Sequence, residues 1–212
     1  MNIIWDPREI EKKSMEIIEG YLTGLHFSEA EKAIAKRVIH TTGDPDIIEA
    51  LRFHPAAVAA GMKALRSGQS VFADVNMLKS GVNASRLKGY GGQVICSISE
   101  PEIIQAAKEW KITRAAAAMR SFGPRLDQAV VAIGNAPTAL FELLNLISQG
   151  KCRPALIIGT PVGFVGAAEA KEELIAQDWV PFISLLGTRG GSPIAVSIVN
   201  AMLYFEGEDS RG

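Results

Sequence analysis

The rhythm of apolar positions changes near residue 70. Before that point apolar residues recur every three or four positions; after it they gather in short unbroken runs. The first pattern predicts helices over Pro7 to about Tyr21, Ser28 to His40, Pro45 to Phe53 and Pro55 to Arg66. The later runs are rich in Val, Ile and Phe and predict five strands, at 71–74, 93–97, 129–133, 155–158 and 181–185. Their nearly continuous apolar character is that of strands covered on both faces. Helical patterns fill most of the gaps, from Ile103 to about Ser121, Pro137 to Ser148, Gly166 to Gln177 and Pro193 to Phe205. Only the connection from Val71 to Gln93 lacks a clear helix, being glycine-rich around Leu87 to Gly92.

Local signals sharpen several boundaries. Ser28-Glu-Ala-Glu31 and Ser99-Glu-Pro-Glu102 have the spacing of capping boxes, in which hydroxyl and carboxylate each satisfy a free backbone N–H at a helix start. Gly43 suits the left-handed position after a helix, and Asp44-Pro45 suits the cap and first residue of the next. Strand, helix and strand in succession imply right-handed crossovers. The fold class expected is α/β: a flavodoxin-like, doubly wound, parallel five-stranded sheet with extra N-terminal helices. One domain is expected over 1–205, followed by a polar tail at 206–212.

Composition narrows the function classes. A chain of 212 residues that is 48% hydrophobic and 21% charged can bury a substantial core. Its formal net charge is -1 and its basic residues are dispersed, which argues against nucleic acid as a partner. No apolar stretch reaches the roughly 18–20 residues of a membrane span, and the N-terminus lacks the pattern of an export signal, so a cytoplasmic protein is expected. Cys96 and Cys152 read as reduced structural thiols.

Open α/β sheets bind ligands beyond the carboxyl ends of their strands. The residues at those ends are Asp74, Asn76 and Lys79, then Ser97 and Ser99, then Gly134-Asn135-Ala-Pro-Thr138, then Gly159 to Gly163 with Gly166, and last Gly187 to Ser192. Three of these loops are glycine-rich and run into helix starts, where free N–H groups favour an anionic ligand. Neither the dinucleotide fingerprint nor the P-loop pattern is present. The three histidines have no metal-ligand spacing, and no metal site is expected. His40 differs from the other two in closing a helix, with Arg37 on the same face and small Ala33 beneath. Paired carboxylates and a nucleophile elbow are lacking, which leaves proton donation or hydrogen bonding as the chemistry on offer.

Four stretches together resemble the precorrin-8X methylmutase family: Arg37-Val-Ile-His40, Val130 to Leu140 with Gly134-Asn-Ala-Pro-Thr-Ala-Leu140, Pro161-Val-Gly-Phe-Val-Gly-Ala-Ala-Glu-Ala-Lys171, and Gly187-Thr-Arg-Gly-Gly-Ser192. The resemblance runs from Asp6 to about Tyr204. It implies an isomerase of cobalamin biosynthesis that shifts a methyl group from C-11 to C-12 of a corrin macrocycle. It places the family histidine on His40 and substrate contacts on Ser14, Arg37 and Arg114. Asp74, Asn76, Asn135, Thr138 and Gly163 join these as candidate binding residues at the sheet edge. No cofactor is implied, and any cobalt would arrive within the substrate. A homodimer enclosing the corrinoid is expected, with the alanine-rich stretches at 115–119 and 56–60 as packing surfaces. The competing reading is a non-catalytic corrinoid or nucleotide carrier on the same fold, with His40 structural.

Overall fold

In the computed structural model, residues 3–205 are described, and the expected tail at 206–212 lies outside them. The chain opens with helices α1 (Pro7–Tyr21) and α2 (Glu29–Thr42), followed by a 3-10 helix, Pro45–Ala50. The Ser28 capping box forms as expected, the Ser28 N–H donating to Glu31 Oε2 at 2.8 Å and the Glu31 N–H to Ser28 Oγ at 3.3 Å. Gly43 ends α2 with φ 65°, and its N–H donates to the Ile39 carbonyl at 2.8 Å.

The sheet has six strands: β1 (Leu51–Phe53), β2 (Val71–Ala73), β3 (Val94–Ile95), β4 (Val130–Ile133), β5 (Leu156–Gly159) and β6 (Phe182–Leu185). Their order is β1-β6-β5-β4-β2-β3, and β2 to β6 run parallel to one another. Within the parallel set the order reverses once, so that β2 and β4 are adjacent while their chain ends lead to opposite sides. The extra strand, β1, runs antiparallel along β6 with Leu51 opposite Leu185. This corrects the helix expected over Pro45 to Phe53: a 3-10 turn and an edge strand share that segment. Edge pairing decides the outcome there, and three residues are too short to show a period of two.

Two further corrections are local. The connection after β2 holds short helices α4 (Asn76–Gly81) and α5 (Ala84–Gly89), each too short for periodicity. The single helix expected over 103–121 is two, α6 (Pro101–Trp110) and α7 (Arg114–Phe122), separated by Lys111 at φ 54°. Thr113 caps α7 by accepting the Ala116 N–H, so Arg114 stands at a helix start rather than mid-helix. At the start of α6 the expected capping box does not form; Glu100 is the cap residue and takes the Ser97 hydroxyl at 2.8 Å.

The remaining helices are α3 (Ala57–Arg66), α8 (Pro137–Ser148), α9 (Ala167–Ala176) and α10 (Ser192–Tyr204). Alternate strand residues feed two separate cores, as the period of two requires. Val130, Ala132, Leu156 and Ile158 face a layer that includes α1, α2, α3 and α10; Val131, Ile133, Ile157 and Phe182 face α6 to α9. Ala115 to Met119 are buried in the second core. Their methyl groups pack within the chain, which corrects the expectation that this stretch offers a surface to a second subunit.

Candidate functional site

The last turn of α2 overhangs α10 and makes a cleft of about 810 Å³. Arg37, His40 and Thr41 line one wall, Met77 and Gly81 of α4 another, and Pro193, Val196, Asn200 and Tyr204 the floor along one face of α10. A smaller cleft of about 280 Å³ lies on the other side of the same turn, between Ser14, Tyr21, Gly43 and Pro45. His40 borders both. It is exposed and forms no hydrogen bond or ion pair among the described residues, so its imidazole is available to a ligand from either side.

Helix α2 places His40 rigidly. Ile34, Ala35, Val38 and Ile39 bury the opposite face against the first core, and the Gly43 cap stops the helix one turn beyond the histidine. Ser14 donates its hydroxyl to the Ile10 carbonyl at 2.8 Å, within α1. Arg37 is engaged: its Nη2 pairs with Glu11 Oε1 at 2.8 Å on the cleft rim. A substrate carboxylate reaching Arg37 must therefore compete with Glu11. Removing that competitor with Glu11→Gln is expected to tighten binding of a carboxylate-bearing ligand at Arg37 about threefold to fivefold, the scale of an exposed ion pair. Absorbance titration reads this directly, and an unchanged or weaker affinity would show that Arg37 does not receive the ligand.

The structure separates the other sequence candidates. Asn76 begins α4 and donates its side-chain amide to Ser99 Oγ at 3.0 Å, lining a neighbouring groove of about 780 Å³ with Lys79 and Lys88. Those two lysines make no ion pair among the described residues. Arg114 and Thr138 lie in the other layer. The Thr138 hydroxyl meets the Thr113 hydroxyl at 2.7 Å beside a cleft of about 640 Å³. Asn135 is exposed, and Gly163, with φ 148°, gives its N–H to the Thr188 carbonyl at 3.2 Å. Neither borders the His40 clefts.

Asp74 is fully buried and faces inward. Its carboxylate accepts the N–H groups of Gly134 at 3.2 Å and of Asn135 and Ala136 at 2.8 Å each. Burial pushes this carboxyl above its usual range, while the three donors pull it back toward the anion. The crevice where the strand order reverses is thus filled by the protein's own carboxylate. Ser192, at the start of α10, presses on the same loop: a Cβ on Gly134 would come within 2.6 Å of Ser192 Cα. No groups of three or more His, Cys, Asp or Glu that could hold a metal occur among the described residues. No helix among them is long and apolar enough to cross a membrane.

Sequence reasoning missed Glu11, Met77, Asn200 and Tyr204 as cleft residues. A signal for the last two existed, since Asn200 and Tyr204 are four apart in a largely apolar helix and so share one face. Asn200 also ties the cleft wall together, donating to the Gly81 carbonyl and accepting the Asn83 N–H.

Fold and cleft together define a class: a mixed α/β protein, mostly parallel, in which N-terminal helices carry to a large cleft a histidine that is unpaired among the described residues. Residues 9–205 match the precorrin-8X methylmutase family, and the chain belongs to it. It is 45% identical over 196 residues to a cobalt-precorrin-8 methylmutase of Priestia megaterium, covering 92% of this chain and 87% of that protein. It is 43% identical over 205 residues to a precorrin-8X methylmutase of Pseudomonas aeruginosa, covering 95% and 97%. A solved structure of the precorrin-8X methyl mutase from Thermus thermophilus superposes with a TM-score of 0.84 at 37% identity, covering 92% of this chain and 96% of that one. The family's members are isomerases that catalyse an intramolecular methyl shift in cobalamin biosynthesis.

Proposed function

We propose that this protein moves a methyl group from C-11 to C-12 of precorrin-8X or cobalt-precorrin-8, giving hydrogenobyrinate or cobyrinate, with His40 as the proton or hydrogen-bond donor. The observation that carries the reading is the free imidazole between two clefts at the capped end of α2. In the shift one carbon–carbon bond breaks as another forms in the same molecule, so neither a redox cofactor nor a protein nucleophile is required. What lowers the barrier is a group that takes up charge redistributed in the conjugated ring as the methyl migrates. Cobalt, where present, is part of the substrate. The relatives at 45% and 43% identity include one whose name carries cobalt and one whose name does not.

The site is proposed to be shared between two copies of the chain. Ser14, Arg37 and His40 belong to one layer and Arg114 and Thr138 to the other, so a single cleft does not collect all of them. Beyond the carboxyl end of β5, the loop presents Phe164 at 93% and Val165 at 89% exposure. An apolar tip of this kind is suited to cover by a second copy. If Arg114 of one copy pairs with a carboxylate on the substrate held by His40 of the other, two inactive variants should complement each other. Mixing Arg114→Ala with His40→Ala is then expected to restore about a quarter of wild-type activity, through mixed dimers with one intact site. Light scattering that shows an active 22.7 kDa monomer, or no restoration on mixing, would contradict the shared site.

A further inference from the structure

The loop that leads into α10 is anchored by a buried amine. Lys171 of α9 has no exposed surface, and its Nζ donates to the Arg189 carbonyl at 2.6 Å. It forms no ion pair among the described residues, and burial lowers its pKa to about 8. Placing an amine there is costly compared with an apolar side chain of similar length. The contact it makes shows what it holds.

Two backbone hydrogen bonds with the loop after β5 join that contact in fixing the backbone of residues 187–191. The Gly163 N–H donates to the Thr188 carbonyl, and the Gly191 N–H donates to the Thr160 carbonyl at 2.8 Å. Gly190 is pressed so closely on the preceding loop that a Cβ would meet the Thr160 oxygen at 2.4 Å. From this fixed backbone the Arg189 side chain crosses to the N-terminal helices. Its Nη1 pairs with Asp44 Oδ2 at 2.6 Å, and its Nη2 donates to the Asp46 carbonyl at 3.4 Å. Asp44 directly follows Gly43, the cap of α2, and its N–H donates to Thr42 Oγ1 at 3.3 Å. Thr42 in turn donates to the Val38 carbonyl at 3.0 Å, in the helical turn that carries His40. The same loop continues into Ser192 and Pro193 of the cleft.

We infer that Lys171 is a positioning residue for the methyl shift: by holding the Arg189 carbonyl it fixes the Arg189–Asp44 clamp on the helix end that presents His40. The inference rests on the reading of His40 given above. It predicts that Lys171 acts through geometry, and therefore on kcat rather than on affinity. Lys171→Met should lower kcat roughly tenfold, within the range reported for small misplacements of catalytic groups, while corrinoid Kd stays within about twofold.

The test is a cycle of Lys171→Met, Arg189→Ala and the double variant in the full chain. Turnover, corrinoid titration and amide hydrogen exchange over 188–191 are read for each. The expected result is a similar kcat loss in both single variants, a double variant no slower than the slower single one, and faster exchange in Lys171→Met. Arg189 is half exposed, so Arg189→Ala keeps the test open if Lys171→Met does not fold. A normal kcat in Arg189→Ala, or single losses that multiply in the double variant, would overturn the inference. Failure of the His40 reading is distinguishable, because it appears as an active His40→Ala with Lys171 and Arg189 intact.

Discussion

His40→Ala is expected to abolish measurable turnover, by about 10²- to 10⁴-fold, the scale of a lost general acid, while the folded protein still binds corrinoid. The imidazole bonds to nothing else among the described residues and is exposed, so its removal leaves no buried group unsatisfied. Unfolding midpoints should therefore match the parent's within the error of the measurement. Binding survives because the clefts are made by α1, α2, α4 and α10 and not by the ring of His40. Steady-state turnover together with a titration of the same sample separates the two effects. A variant that turns over at near-normal rate would remove His40 from the chemistry.

Asp74→Ala has the largest expected effect on stability. Three backbone N–H groups at the start of α8 lose their acceptor in a buried crevice. Removing one partner of a buried charged network typically costs about 3–5 kcal/mol, because the groups left behind remain desolvated. Asp74→Asn should recover only part of this, since its amide offers one acceptor oxygen where the carboxylate offers two. Urea unfolding checks both variants. A loss under about 1 kcal/mol would mean that water replaces the carboxylate, and that Asp74 is not what holds the loop.

These two residues show what the sequence disclosed and what it withheld. Both stand beside recognisable signals, a helix cap after His40 and the end of an apolar run before Asp74. Helix ends are written in local chemistry, so the Ser28 box and the Gly43 cap could be read residue by residue. Four of the six strands were legible because each is buried on both faces and therefore continuously apolar; a fifth, β3, is half-buried at the sheet edge and only two residues of its expected run pair. The sixth, Leu51–Phe53, is an edge strand whose formation depends on β6, more than 100 residues away, and no local signal announces it.

The candidate site followed the same division. Ser14, Arg37 and His40 converge through helix packing, but the sequence did not show that Glu11 already occupies Arg37. Nor did it show that a carboxylate at a strand end can turn inward. Asp74 has the residue type and the position of a ligand group, and only the three N–H groups around it reveal that its partner is the protein itself. The cleft floor on α10 was hidden because its Asn200 and Tyr204 gain meaning only when α2 and α4 stand opposite them.

The central claim is that the free imidazole of His40 serves a methyl migration within the corrin ring rather than simple binding. Carbon-13 NMR of substrate labelled in the C-11 methyl group, in both metal-free and cobalt-containing forms, tests it most directly. With the wild-type protein the account predicts that the labelled signal of one form moves to the C-12 position over repeated turnovers, and that with His40→Ala it stays at C-11 while the complex still forms. A labelled signal that remains at C-11 for both forms with the wild-type protein, although the corrinoid binds, would contradict the account and leave a carrier in its place.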